Sequence, residues 1–90
     1  MYTPIYTKQF AKDIKLAQKR GKNLGKLKTV VWTLVTGKRL APLHQDHGLK
    51  GELIGHRECH IESDWLLIYK IEGTAIRFER TSTHSDLFRG

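Results

Sequence analysis

The spacing of apolar residues changes along the chain, and the changes divide it into elements. From Lys8 onward Phe10, Ile14 and Ala17 recur at four and three residues, one face of a helix, while Lys8, Lys12, Lys15, Lys19 and Arg20 lie elsewhere around it. Thr7 stands where a hydroxyl can take up a free amide of the first turn, and Gly21 is a natural stop. Asn23 can cap a second helix, on which Leu24, Leu27, Val31 and Leu34 form a stripe that ends at Gly37. So few residues join the two that they are expected to pack as an antiparallel hairpin. Ahead of them, residues 2–7 carry Pro4 early and suit a short strand at a sheet edge, where proline removes no ladder bond.

Residues 38–55 hold Pro42, His44, His47 and three glycines and read as loop, with a short strand expected around Leu53. From His56 the period becomes two: Arg57, Cys59 and Ile61 point one way, and His56, Glu58, His60 and Glu62 the other. Ser63 and Asp64 make a turn into a nearly continuous apolar strand over 65–71, and Glu72-Gly73-Thr74 makes the next turn into a strand over 75–80. In that last strand Ile76, Phe78 and Arg80 are expected to share a face, so that Arg80 borders a cleft. The order β-α-α-β-β-β, with one further short strand, predicts a single α+β domain over 1–90. In it an N-terminal strand and a two-helix hairpin pack on a small antiparallel sheet.

Ninety residues allow one modest core, burying roughly 60–65% of the unfolded surface. A single cysteine, Cys59, excludes an internal disulfide. With no apolar run following a basic start, no signal peptide is expected and the chain reads as cytoplasmic. Its apolar runs fall well short of the roughly 20 residues of a membrane helix, and no membrane is expected as a partner. The net charge of +7 favours polyanions, nucleic acid first. Half of the 16 lysines and arginines lie between Lys8 and Lys28, against one acid, Asp13. Such a run is either a solvated helix face or a surface for an RNA backbone or a docking partner.

Five histidines raise metal chemistry first. His56 and His60 on a strand are about 13 Å apart, too far for one ion; His44-x2-His47 with Cys59 stays open, although no closely spaced cysteine pair supports it. Acid–base work on RNA is the other reading. Attack by a 2′-hydroxyl needs a base, an acid for the departing 5′-oxygen and positive charge on the phosphate, tasks suited to histidine and arginine. His47, His60, His84, Arg80 and Asp64 could fill those places, and residue type alone does not separate them from histidines scattered on a surface.

The motifs Asp46-His47-x-Leu49-x-Gly51, then Gly55-x-Arg57-x-x-His60-x-x-x-Asp64-Trp65-x-Leu67-Ile68-Tyr69-Lys70, then Arg77-Phe78-Glu79-Arg80-Thr81-x-Thr83-His84-x-x-Leu87-Phe88 resemble the YafQ branch of the RelE/ParE toxin superfamily. The first half is similar too, in Asp13-x-Lys15-Leu16-Ala17-Gln18-Lys19-Arg20 and Lys26-Leu27-Lys28, so that the resemblance spans nearly the whole chain. It implies a bacterial type II toxin that enters the A site of the 70S ribosome and cuts mRNA there without metal or other cofactor. A cognate, DinJ-like antitoxin would hold it inactive, and DNA would be met only through that complex.

By position, the resemblance implies His47, His60, Asp64 and His84 as the catalytic group, with Arg80 on the phosphate charge. His84, at a mobile strand end, is expected to move a proton directly, and His60 and Asp64 to fix geometry and charge. Trp65 and Phe88 would orient the nucleotide or the other side chains, and Lys8, Lys12, Lys15 and Lys19 would add RNA affinity. Gly48 stands where relatives often have proline, and Cys59 where a small residue is common; His44 and His56 carry no implied role. The alternative is a basic module that blocks its target by occupancy, as ParE-type relatives act on DNA gyrase.

Overall fold

The structure, a computed structural model, describes residues 1–88, with Phe88 described by its backbone alone. Strand β1 (Thr3–Tyr6) leads into helices α1 (Lys8–Lys19) and α2 (Leu24–Val35). After a loop come β2 (His47–Gly48), β3 (Arg57–Glu62), β4 (Trp65–Glu72), β5 (Ala75–Ser82) and a short α3 (His84–Phe88). The sheet runs β1-β5-β4-β3-β2. Strands β2 to β5 are antiparallel as expected; β1 joins β5 in parallel at the edge, where Pro4 sits. No helix among the described residues is long and apolar enough to cross a membrane.

Both expected helix caps form. Thr7 Oγ1 accepts from the Phe10 amide at 3.0 Å, and Asn23 Oδ1 from the Gly25 amide at 3.0 Å. Gly21 and Gly37, at φ +74° and +78°, end the helices in the left-handed conformation that glycine adopts without strain.

The helices cover one face of the sheet. Phe10, Ala17, Leu27, Val30, Leu34 and Val35 bury against Cys59, Ile61, Trp65, Leu67, Tyr69, Ile76 and Phe78. On α2 the buried line passes through Val30 and Val35, with Leu24 and Val31 only partly covered, a small rotation from the expected stripe.

Three local features depart from the sequence pattern. Leu53 lies in a 3-10 turn (Gly51–Leu53), and the short strand forms instead at His47–Gly48, which pairs with Glu58 and Arg57. A bulge in β5 sets Phe78 opposite Tyr69 but Arg80 opposite Ile68. The extra residue breaks the line Ile76, Phe78, Arg80: Thr81, 1% exposed, follows Phe78 inward and Arg80 moves to the other face. Third, the chain after Ser82 turns into α3 rather than continuing as a strand end.

The bulge survives because α1 meets its backbone. Strand β1 ends at Tyr6 opposite Phe78, leaving the β5 edge beyond it without a ladder. Thr7 Oγ1 donates to the Glu79 carbonyl at 2.9 Å, and Asp13 Oδ2 accepts from the Thr81 amide at 3.1 Å. Groups that a strand would have satisfied are satisfied by side chains.

Candidate active site

The face of the sheet away from the helices carries the titratable side chains. Strand register aligns His47, Glu58, Ile68 and Arg80 in a row across β2, β3, β4 and β5. His60, Leu66 and Ser82 form the next row. Leu66 and Ile68, 1% and 4% exposed, are the apolar floor between the polar ends. At about 4.8 Å per strand, His47 and Arg80 have backbones roughly 14 Å apart, so a substrate that meets both lies across the sheet.

Glu58 links two of the expected histidines. Its Oε1 stands 3.4 Å from His47 Nε2 and 3.9 Å from His60 Nε2, and its side chain is only 8% exposed. His47 Nδ1 lies 2.6 Å from the carbonyl of Gln45. A carbonyl only accepts, so Nδ1 carries the proton, and in the neutral ring the Nε2 lone pair faces the site. Gln45 holds a left-handed conformation, φ +47°, uncommon for a residue with a side chain, and thereby turns its carbonyl to that ring.

The loop that carries His47 is tied to the core. Tyr69 donates its hydroxyl to Asp46 Oδ1 at 2.6 Å, and Arg57 Nε lies 3.3 Å from the same oxygen. Burial first, then the bond to Asp46, pushes the Tyr69 phenol well above its ordinary value, so it stays a donor. His44, given no role from the sequence, places Nδ1 2.6 Å from the His60 carbonyl and pins the preceding turn to β3.

Arg80 is held in place by α1. Its Nε and Nη2 meet Asp13 Oδ2 and Oδ1 at 2.8 and 3.1 Å, a two-pronged pair that raises its pKa further and fixes the guanidinium plane. Asp64, in the β3–β4 turn, accepts from the His84 backbone amide at 3.1 Å and so caps the helix on which His84 stands. Arg20 Nη1 at 2.9 Å from Asp86 Oδ2 ties α3 to the end of α1, and this bond, with Ser82, holds the Asp86 carboxyl below the usual range.

The structure thus brings His47 and His60 around one carboxylate, puts Arg80 in the same row as His47, and sets Asp64 and His84 together at one end of the sheet. Trp65 does not join them. It is 1% exposed within the helix-side core, under Lys22 at 5.8 Å, so its ring can orient neighbours but cannot stack on a nucleotide. The expectation for Phe88 falls on a side chain outside the described residues. Lys8, Lys12, Lys15 and Lys19 form an exposed stripe on α1 opposite its buried Phe10–Ala17 side, and therefore face away from the histidine row.

Sequence reasoning missed Glu58, Asp13, Asp46 and Tyr69. Two signals were present: Glu58 alternates with His60 on one strand face, and Asp13 lies on the apolar face of an otherwise basic helix, where a carboxylate needs a partner. Among the described residues, no group of three or more His, Cys, Asp or Glu side chains has the arrangement to hold a metal ion, the His47–Glu58–His60 cluster included. The apolar groove of about 370 Å³ between α1, α2 and β1, lined by Tyr6, Phe10 and Trp32, lies on the other side of the sheet.

Fold and site together define a small basic α+β protein with an acid–base face beside an anchored guanidinium. A family model described as "Bacterial toxin of type II toxin-antitoxin system, YafQ" matches residues 2–89. The mRNA interferase toxin YafQ of Escherichia coli strain K12 is 46% identical over 84 residues, covering 92% of this chain and 91% of that one. A crystal structure of YafQ from E. coli strain BL21(DE3) superposes with a TM-score of 0.93 at 43% identity, over 98% of this chain and 99% of that one. The E. coli DinJ–YafQ toxin–antitoxin complex contains a chain matched at TM-score 0.91 and 44% identity, over 97% of each. The protein belongs to the YafQ family of bacterial toxins of type II toxin–antitoxin systems.

Proposed function

We propose that this protein is a ribosome-dependent mRNA endoribonuclease toxin that cuts mRNA in the ribosomal A site and so stops translation. The observation that carries the reading is the row of His47, Glu58 and Arg80 with His60 beside it, in a chain 46% identical to a protein named as an mRNA interferase. A module that acts by occupancy alone has no use for titratable groups gathered on one face.

In the proposed reaction one imidazole removes the 2′-hydroxyl proton and the oxygen attacks the adjacent phosphorus. The bond to the 5′-oxygen breaks, and a second group protonates that oxygen, leaving a 2′,3′-cyclic phosphate and a 5′-hydroxyl. His47 Nε2 and His84 are the two proton-transfer groups. Glu58 balances the charge that His47 gains when Nε2 takes the proton, His60 stands beside the same carboxylate, Asp64 positions His84, and Arg80 balances the five-coordinate phosphate. The lysine stripe of α1, on the opposite side, meets ribosomal RNA rather than the cleaved message. A cognate antitoxin occupies the toxin as DinJ does in the E. coli complex, and contact with DNA comes only through that partner. The site of action is the cytoplasm, where the ribosomes are.

Primer extension on a defined message, with and without stalled ribosomes, tests this beside His84→Ala. Ribosome-dependent cuts at A-site codons that fall at least about tenfold in folded His84→Ala support the reading. An undiminished rate removes His84 from the proton path, and no cuts from folded wild-type protein leave a blocker of the ParE type. A message with a 5′-sulfur leaving group identifies the acid, since loss of the acid is tolerated when the leaving group needs no proton.

A further inference from the structure

The acid–base face carries a second set of cations that the reaction leaves unused. Ile68, in the middle of the His47–Arg80 row, is followed two residues along β4 by Lys70, which strand alternation returns to the same face. Lys70 is opposite Arg77 on β5. His56, just before β3, reaches over this face and sets Nε2 3.8 Å from Glu79 Oε2. Two residues of strand separate the rows by about 7 Å, the scale of one nucleotide step in an extended RNA strand.

The charges of this second row are unevenly matched. Arg77 Nε lies 3.0 Å from Glu72 and 3.5 Å from Glu79, and Glu79 also faces His56. The Lys70 side chain has no ion pair or hydrogen bond among the described residues, yet the residue is half-buried. Its stem runs past Gly55, where φ is +93° and where an added Cβ would come within 3.7 Å of Lys70 Cε, so the absence of a side chain there leaves the lysine its course. A half-buried lysine has already lost part of its freedom along the stem, so its ammonium is held on this face for an anion that the described residues do not supply.

We propose that Lys70 is the cation of a second phosphodiester subsite, which holds the RNA linkage adjoining the scissile one, with Arg77 and His56 at its sides. The inference rests on the reading of this face as RNA-cleaving. Contacts of this kind carry no base information; they set the register of the strand, here the linkage that lies over His47 and Arg80.

The test uses the intact protein on ribosomes stalled with a defined message, measuring initial cleavage rate against toxin concentration. Lys70→Gln keeps the first three side-chain carbons and removes the charge; it is expected to raise the half-saturating concentration about fivefold and to flatten the salt dependence by about 0.7 in log–log slope. Lys70→Arg restores wild-type behaviour. Messages with a neutral methylphosphonate on the 5′ or the 3′ side of the cut locate the contact: one of them weakens the wild type and adds nothing in Lys70→Gln. Wild-type half-saturation in folded Lys70→Gln, or an equal methylphosphonate effect in both proteins, overturns the subsite alone. Absence of cleavage by the wild type overturns the nuclease reading and the subsite with it.

Discussion

Asp13 on α1 and Arg80 on β5, 67 positions apart, are joined by two parallel charge-assisted hydrogen bonds, and the same carboxylate takes the Thr81 amide. Asp13 is 5% exposed and Arg80 36%, so the pair is buried on one side only. Asp13→Asn keeps the shape and removes the charge. It is expected to lower stability by about 2 kcal/mol in urea titration, less than a fully buried pair because the arginine reaches water. Cleavage should fall with it, as Arg80 loses its fixed plane. A double-mutant cycle with Arg80→Ala reads the coupling, and a coupling near zero removes Asp13 as the anchor.

Glu58→Gln separates charge from shape at the centre of the row. The variant is expected to fold with wild-type circular dichroism and to cleave about tenfold more slowly, because His47 Nε2 no longer faces a carboxylate. Cleavage at the wild-type rate would assign Glu58 to packing only.

Tyr69→Phe removes one hydroxyl from a buried ring and leaves Asp46 to Arg57 alone. About 1 kcal/mol of stability should be lost, with a severalfold drop in cleavage as the loop bearing His47 loosens. Faster amide exchange across residues 45–49 in the folded variant would report that loosening, and unchanged exchange there with reduced cleavage would place the hydroxyl's effect elsewhere.

Cys59 is fully buried, and burial pushes its thiol up to about 12. The unfolded chain loses this proton from pH 9 upward while the folded chain keeps it, so the unfolded state binds fewer protons and stability falls as pH rises between those values. The loss approaches about 1.4 kcal/mol per pH unit, and Tyr69, also raised, adds to it at the upper end. Cys59→Ala should flatten the alkaline limb of a stability–pH curve, and native Cys59 should resist a thiol reagent at pH 8 until denaturant is added. Rapid labelling of the native protein would contradict this burial.

Much of this protein follows from the order of its residues. The capped helices, the three strands over 57–82 and their turns arise from local rules: apolar spacing of three and four, alternation by two, and Thr7, Asn23, Gly21 and Gly37 at the ends. The motifs that mark the YafQ family are equally local, and with them came the histidines, Asp64 and Arg80. What tertiary structure alone decided is relation. An alternating pattern cannot show a bulge, so only the pairing of Ile68 with Arg80 reveals that Arg80 leaves the line of Phe78 and crosses to the acid–base face. Nor can it show that the partner of Arg80 lies on α1, that Glu58 stands between two histidines, or that Trp65 turns inward, because each depends on chain segments far apart in sequence being packed together. Side-chain chemistry is written residue by residue; which side chains share a face and a charge is set by strand register and by the helices laid across the sheet.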